Sequence, residues 1–322
     1  MAFTKTETLD NLYTSTWQNM KDTVVDNIFD ATPFWFWMKD GGHFATQDGG
    51  RDIQHPIRFA KGDNVSWITK GSTVTMDDKE ILTDAIYDWR YLSDSIVRFM
   101  TDEQKNAGKH RIFSLMKAKL DTSQDTLIDT LETALFAAQT GNQIDGLQTA
   151  VADDPTATAN VGGIAQGTHS WWRNKTTDLT GNSFAVNGIP SMRTIMNNIG
   201  NNLSMDKPNI ILSGQTPYEY YEDNVIEQKQ IVNKKLGDAG FENLEFKGTP
   251  MIWSPACANT RMYFLNTRFL KVIYDPALWF DMTDWKQIPN QPNDRVAQVV
   301  SALALVCSRR RAQGVIFNID TE

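Results

Sequence analysis

The chain has 322 residues, 41% of them hydrophobic and 22% charged, which suits a folded protein of one large or two ordinary domains and excludes intrinsic disorder. The formal net charge is -8 and the pI is near 5.1. That balance argues against a dedicated nucleic-acid binder, which carries a basic stripe.

Met1 to Asp10 contains Lys5, Glu7 and Asp10 with no apolar segment, so no secretion signal is expected there. Leu9, Leu12, Tyr13, Trp17, Met20, Val24 and Ile28 recur at steps of three and four, which predicts an amphipathic helix ended by Pro33. Phe34, Trp35, Phe36, Trp37 and Met38 follow, before Gly41 and Gly42. In an extended segment alternate residues point opposite ways, so these five cannot all face one core. Burial of some against a neighbouring chain and burial in a loop of the same chain both remain open.

From Arg51 the period becomes two. Ile53, His55, Ile57 and Phe59 alternate with Gln54, Pro56, Arg58 and Ala60, and a second alternation runs through Ala85, Tyr87, Trp89 and Tyr91. Between them lie about 25 polar residues with turn signals at Lys61–Asn64 and Lys70–Ser72. Residues 51–95 are therefore expected to form a long projecting hairpin, which has little core of its own and gains more by docking on another subunit. Phe34, Trp35, Phe36, Trp37, Ile57, Phe59 and Trp67 are the apolar candidates for contacts between subunits.

Thr101 and Gln104 form a capping box. Ile112, Leu115, Met116, Leu120, Leu127, Leu131 and Leu135 then carry a helical stripe. Unbroken over 102–140, this helix spans on the order of 58 Å, with Gly108 as a point of kinking. Residues 143–289 read as a mixed unit. It has a helix over 190–200 and a strand over 209–212 that feeds a helix opened by Thr216, Pro217 and Glu219. Short strands follow at 244–246, 250–253, 262–265 and 270–274, and longer ones close the chain at 296–307 and 314–319. The apolar run 296–307, broken by Gln298 and Ser301, is too short for the roughly 20 residues of a membrane helix.

Few residues are spaced for chemistry. His43, His55, His110 and His169 make no metal-type spacing, and no cofactor is expected. Ser213 ends a strand before a helix, but Ile211 and Gln215 stand where a nucleophile elbow needs glycine. Gly162, Gly163 and Gly167 lack the setting of a phosphate loop. No carboxylate stands isolated in an apolar stretch in a way that predicts a perturbed pKa. Cys257 and Cys307 are expected to be reduced, buried and inert. Arg309, Arg310 and Arg311 form the one dense basic run, expected to be a contact with a partner or nucleic acid, or a solvated turn.

These residues also carry a resemblance. Phe246-Lys247-Gly248-Thr249-Pro250 precedes Trp253; Arg261 to Thr267 leads to Leu270-Lys271; Pro289-Asn290-Gln291 precedes Val296-Ala297; Cys307-Ser308-Arg309-Arg310 precedes Gln313-Gly314-Val315. Earlier, Ile144-Asp145-Gly146-Leu147, Val161-Gly162-Gly163 and Trp171-Trp172-Arg173-Asn174 add to it. Their order over residues 50–319 resembles the major capsid proteins of tailed bacteriophages of the Hong Kong 97 type.

The resemblance implies an α+β capsid fold with an N-terminal arm (1–50), an extended hairpin loop (51–95) and a peripheral domain with a long spine helix (96–142). A mixed α/β axial domain (143–289) and a return to the peripheral domain (290–322) complete it. It implies a subunit without enzymatic activity or cofactor, made in the bacterial host cytoplasm and residing in the virion. Its partners are copies of itself in hexamers and pentamers, a portal, decoration proteins and packaged DNA held by proximity alone; no membrane is involved. The chain is too short at its start for the scaffolding segment some members carry, which implies either a separate scaffolding protein or a processed form, and Met1 favours the separate protein. Lys61 and Lys70 lie in the hairpin loop, and no crosslink is assigned to them. Rival readings are an encapsulin-type compartment, a cytoplasmic hydrolase built on Ser213 or His169, and a tail or decoration protein.

Overall fold

The structure, a computed structural model, describes residues 33–62, 64–74, 76–100, 109–200, 206–225, 244–291 and 293–319. The helix expected over 9–28, the Thr101–Gln104 capping box and Gly108 lie outside the described residues.

Pro33 opens a helix, α1 (Pro33–Asp40), where its missing N–H costs nothing. The aromatic run is thus helical and not extended, and this corrects the geometry on which a contact with another chain was expected. Steps of about 100° place Phe34, Trp35 and Met38 on one face, where Phe34 is 0% and Trp35 3% exposed inside the chain's own core. Gly42 at φ 64° ends the helix. The His43 N–H reaches the Met38 carbonyl and the Gly42 N–H the Lys39 carbonyl, a Schellman closure.

Strands β1 (Phe44–Thr46), β2 (Ile53–Arg58), β3 (Leu82–Tyr87) and β4 (Arg90–Arg98) follow. β2 and β3 form the expected hairpin, paired from Ile53 against Tyr87 to Arg58 against Leu82. Pairing does not continue through Trp89 and Tyr91: the chain leaves the hairpin at Asp88, and β4 joins a different sheet. The long helix α2 (Lys109–Phe136) has 28 residues and spans about 42 Å. It stops at Phe136 and not at Thr140, because the Gly146 backbone returns against the carbonyls of Ala134 and Ala137, closer than any Cβ would allow.

A helical turn (Leu147–Ala150), the two-residue strands β5 (Asn160–Val161) and β6 (Ile164–Ala165), a 3₁₀ turn (Ser170–Trp172) and β7 (Lys175–Asp178) lead to α3 (Phe184–Gly200). α3 begins six residues before the expected Pro190, which sits inside it on the solvent side. The lost bond there would have gone to the carbonyl of exposed Val186, which water can satisfy. After β8 (Ile210–Ser213), helix α4 (Gln215–Val225) starts one residue before the expected cap Thr216. Its capping oxygen comes from across the fold, where Asn259 Oδ1 accepts from the Gln215 N–H at 3.2 Å.

The remaining strands are β9 (Leu244–Phe246), β10 (Thr249–Trp253), β11 (Met262–Leu265), β12 (Leu270–Tyr274), β13 (Asp281–Met282), β14 (Lys286–Gln287), β15 (Arg295–Cys307) and β16 (Gly314–Phe317). One sheet runs β1-β12-β15-β13, and the 13-residue β15 also pairs β4 and β14. The other runs β7-β16-β11-β8-β10-β9. In this second sheet Ile210, Leu212, Ile252, Tyr263, Leu265 and Val315 face one core, shared with α1 and α2. Ile211, Met251, Met262, Phe264 and Ile316 face a second core, shared with α3 and α4. Both faces are covered, which is why its strands read as continuous apolar runs without alternation. A third cluster joins Ile53, Ile57, Ala85 and Tyr87 of the hairpin to Trp172, Ala304 and Val306.

Candidate assembly interface

The base of the hairpin is bolted to the body. Tyr87 donates its hydroxyl to the Cys307 carbonyl at 2.8 Å, the Ile86 N–H reaches the Gly162 carbonyl, and Phe59 lies 5.6 Å from the Trp171 ring. Ile57, a sequence candidate for contact between chains, is instead buried in this base, and Phe59 is half-buried beside it. Beyond Phe59 and before Ile81 the described residues then leave the body. Their described side chains are held by little more than the Asn64–Asp77 pair and the Thr69–Ser72 turn.

This loop exposes Val65, Trp67, Ile68, Val74 and Met76, with Trp67 at 104%. Large apolar side chains are rarely left together in water on a chain that works alone. Sequence reading singles out Trp67 and misses the other four, because no periodicity marks them. Their signal is their position inside an otherwise polar turn-rich stretch.

The other candidates turn inward. The Phe34 ring lies 5.7 Å from that of Phe136 on the long helix, and Trp35 lies 6.4 Å from Trp279. Trp37 is half-buried and donates Nε1 to Thr267 Oγ1 at 3.4 Å. The side chain of Phe36 lies outside what is described.

The arginine run is not a solvated turn. Arg310 is 0% exposed. Its guanidinium donates to the Ala150 carbonyl at 2.8 Å, the Trp172 carbonyl at 3.3 Å, Gln166 Oε1 at 2.9 Å and Asn174 Oδ1 at 3.1 Å. It also stands over the Trp172 ring at 5.9 Å. Arg309 and Arg311 both reach Asp206 Oδ2, at 2.7 and 3.7 Å, so the buried Asp206 carboxylate joins the two. This corrects the reading of three equivalent contact residues: the central one is a structural tie.

Glu132 corrects another expectation. Ile128, Leu131, Glu132 and Leu135 follow helical spacing, so this carboxyl lies in the apolar stripe of α2, a signal available in the sequence. It accepts from Ser254 Oγ at 3.1 Å, and its Oε2 has no partner among the described residues. Burial pushes its pKa up to about 7, the Ser254 hydrogen bond opposes this, and Asp129 adds to it. The folded chain therefore keeps a proton that the unfolded chain releases near pH 4.5. Stability from this group is fully present below that pH and falls as pH rises towards 7, by about 3 kcal/mol in all. The variant Glu132→Gln is expected to be more stable than the parent at about pH 8, with the gap closing towards about pH 5. Urea denaturation at both pH values reads this, and an unchanged gap would refute it.

No catalytic constellation takes shape among the described residues. Ser213 is fully buried, and its hydroxyl has no partner among them. Cys257 and Cys307 are buried free thiols that burial pushes to about 12 and about 11. Among the described residues no group of three His, Cys, Asp or Glu could hold a metal, and no helix is long and apolar enough to cross a membrane.

No protein-family model and no curated protein sequence matches the chain. Solved structures do. The capsid asymmetric unit of cyanophage A-1(L) superposes with a TM-score of 0.65 at 17% identity, over 86% of this chain and 90% of that one. The capsid of Myoviridae phage XM1 gives 0.56 at 7% identity, over 87% and 91%. The chain has the Hong Kong 97-type fold. The holo-SrpI encapsulin complex from Synechococcus elongatus PCC 7942 matches too, with a TM-score of 0.57 at 11% identity over 88% and 87%. Within this Hong Kong 97-type fold, the projecting hairpin carries at its tip a group of large apolar side chains that the described residues do not cover.

Proposed function

We propose that the chain is a major capsid protein, assembling into hexamers and pentamers of an icosahedral phage head that encloses double-stranded DNA. The observation that carries this reading is the apolar hairpin tip, which has no burial partner among the described residues of its own chain, on a fold that phage capsid subunits share. It acts by contact and not by catalysis. A specific interface buries on the order of 1,200–2,000 Å², and several such contacts per copy stabilise a shell although each is modest. Closed symmetry limits growth. The acidic net charge suits a wall that lies beside DNA without adhering to it.

On this reading residues 1–50 form an arm, 51–95 the hairpin, 96–142 and 290–322 the peripheral domain, and 143–289 the axial domain. A separate scaffolding protein, a portal and decoration proteins are its partners. The shell forms in the host cytoplasm and ends in the virion.

Electron microscopy of the full chain, expressed alone and with the scaffolding protein of its source, tests the proposal. Closed polyhedral shells are expected, and native particles are expected to contain nucleic acid. Shells filled with protein cargo instead would favour the encapsulin reading, which the SrpI likeness keeps in play. A chain that stays monomeric in both expressions would overturn assembly altogether.

A further inference from the structure

Beside the base of the hairpin lies a pocket of about 340 Å³. Phe59, Trp171 and Phe269 give it aromatic walls, and Arg58, Arg309 and Arg311 line its rim. No acidic residue lines it among the described residues. Asp206 supplies one carboxylate to Arg309 and Arg311 from behind, so three guanidinium groups face a single counter-charge. Arg309 also lies over the Phe269 ring at 5.4 Å. Arg58 is exposed and makes no ion pair among the described residues. The pocket is thus apolar at its walls and under-neutralised at its rim.

The hairpin carries the complementary chemistry further out. Its return limb reads Met76-Asp77-Asp78-Lys79-Glu80, exposed throughout, and Met76 leads back towards Trp67 at the tip. Three acids and one lysine leave the limb negative where the pocket is positive, with Met76 and Trp67 available for the aromatic walls. The limb does not fill its own pocket. None of residues 76–80 is among those that line it, and Asp77 pairs with Asn64, six residues further along the hairpin than Arg58.

Resting on the reading of the hairpin as an assembly element, we propose that the acidic return limb of one copy docks in the Arg58–Trp171–Phe269 pocket of a second copy. The contact joins two different surfaces, tip to base, so each copy both gives a limb and receives one. Such a heterologous contact propagates head to tail and closes into a ring when the rotation per copy divides a full turn. Charge pairs at the rim steer the approach and set the register, while the aromatic walls bury the apolar side chains.

The full chain bearing Arg58→Cys and Asp78→Cys, treated after assembly with a short bis-maleimide, tests the docking. The native thiols are buried and do not compete. Covalent ladders reaching five and six chains are expected, and neither single-cysteine chain gives them. Shells that form without ladders would overturn the docking site while leaving the hairpin's role in assembly intact. No shells from the parent chain, either alone or with its scaffolding protein, would overturn that role itself. If the double-cysteine chain does not assemble, Arg58→Glu decides. A threshold concentration for assembly raised on the order of tenfold or more supports the site, and an unchanged threshold refutes it.

Discussion

Replacing Arg310 by alanine is expected to cost about 3–5 kcal/mol of stability, a large part of what a domain has. The guanidinium ties three separate stretches together through neutral acceptors: the carbonyl ending the 147–150 turn, Gln166 after β6, and the Trp172–Asn174 segment. Truncation leaves buried carbonyl and amide oxygens unpaired and opens a cavity against Trp172. Arg310→Lys is expected to recover less than half of the loss, since an ammonium on a flexible stem cannot span acceptors that a planar fork reaches at once. Urea denaturation of the three chains at one concentration reads both values. A loss below about 1 kcal/mol for alanine would show that water or a neighbouring group replaces the fork.

Replacing Trp67 by alanine is expected to do the opposite. The side chain is fully exposed in the single chain, so folding stability should move by no more than about 0.5 kcal/mol. Assembly should suffer heavily, because a buried tryptophan at a protein contact commonly contributes about 2 kcal/mol or more. One such loss per contact raises the concentration needed for assembly about thirtyfold. Light scattering against concentration, paired with a urea curve, separates the two effects. Assembly at the parent's threshold would remove the tip from the interface. Arg310 and Trp67 thus report on different links, one on the fold of a copy and one on the joining of copies.

Much of the later chain is legible in its residue order alone. Strands 262–265 and 270–274 coincide with their expected bounds, and 296–307 and 314–319 fall within a residue or two of theirs, since turn residues punctuate short apolar runs there. Elsewhere the local signal is ambiguous. Five consecutive large apolar residues have no period, so spacing alone cannot assign Phe34 to Met38 to a helix. The start of α3 hides behind Pro190, a residue that usually opens or breaks helices but here is tolerated because its face meets solvent. The helix over 184–200 is decided by what covers Phe184, Met192, Ile195 and Ile199 in the second core.

The charged residues diverge most from expectation. Arg309, Arg310 and Arg311 are equivalent in a one-dimensional string, yet one is sealed in neutral oxygens and two share a buried aspartate. Their partners lie more than a hundred residues away, and burial of a charge is determined by such distant groups, not by neighbours in sequence. Glu132 meets Ser254 across a similar separation. By itself the sequence determined the segment order, the presence of a projecting hairpin, the long helix and the closing strands, because alternation, helical stripes and turn residues act over a few positions. Only the tertiary structure decided which apolar residues enter the chain's own core and which, at the hairpin tip, the described residues leave uncovered, because that division depends on surfaces brought together from distant parts of the chain.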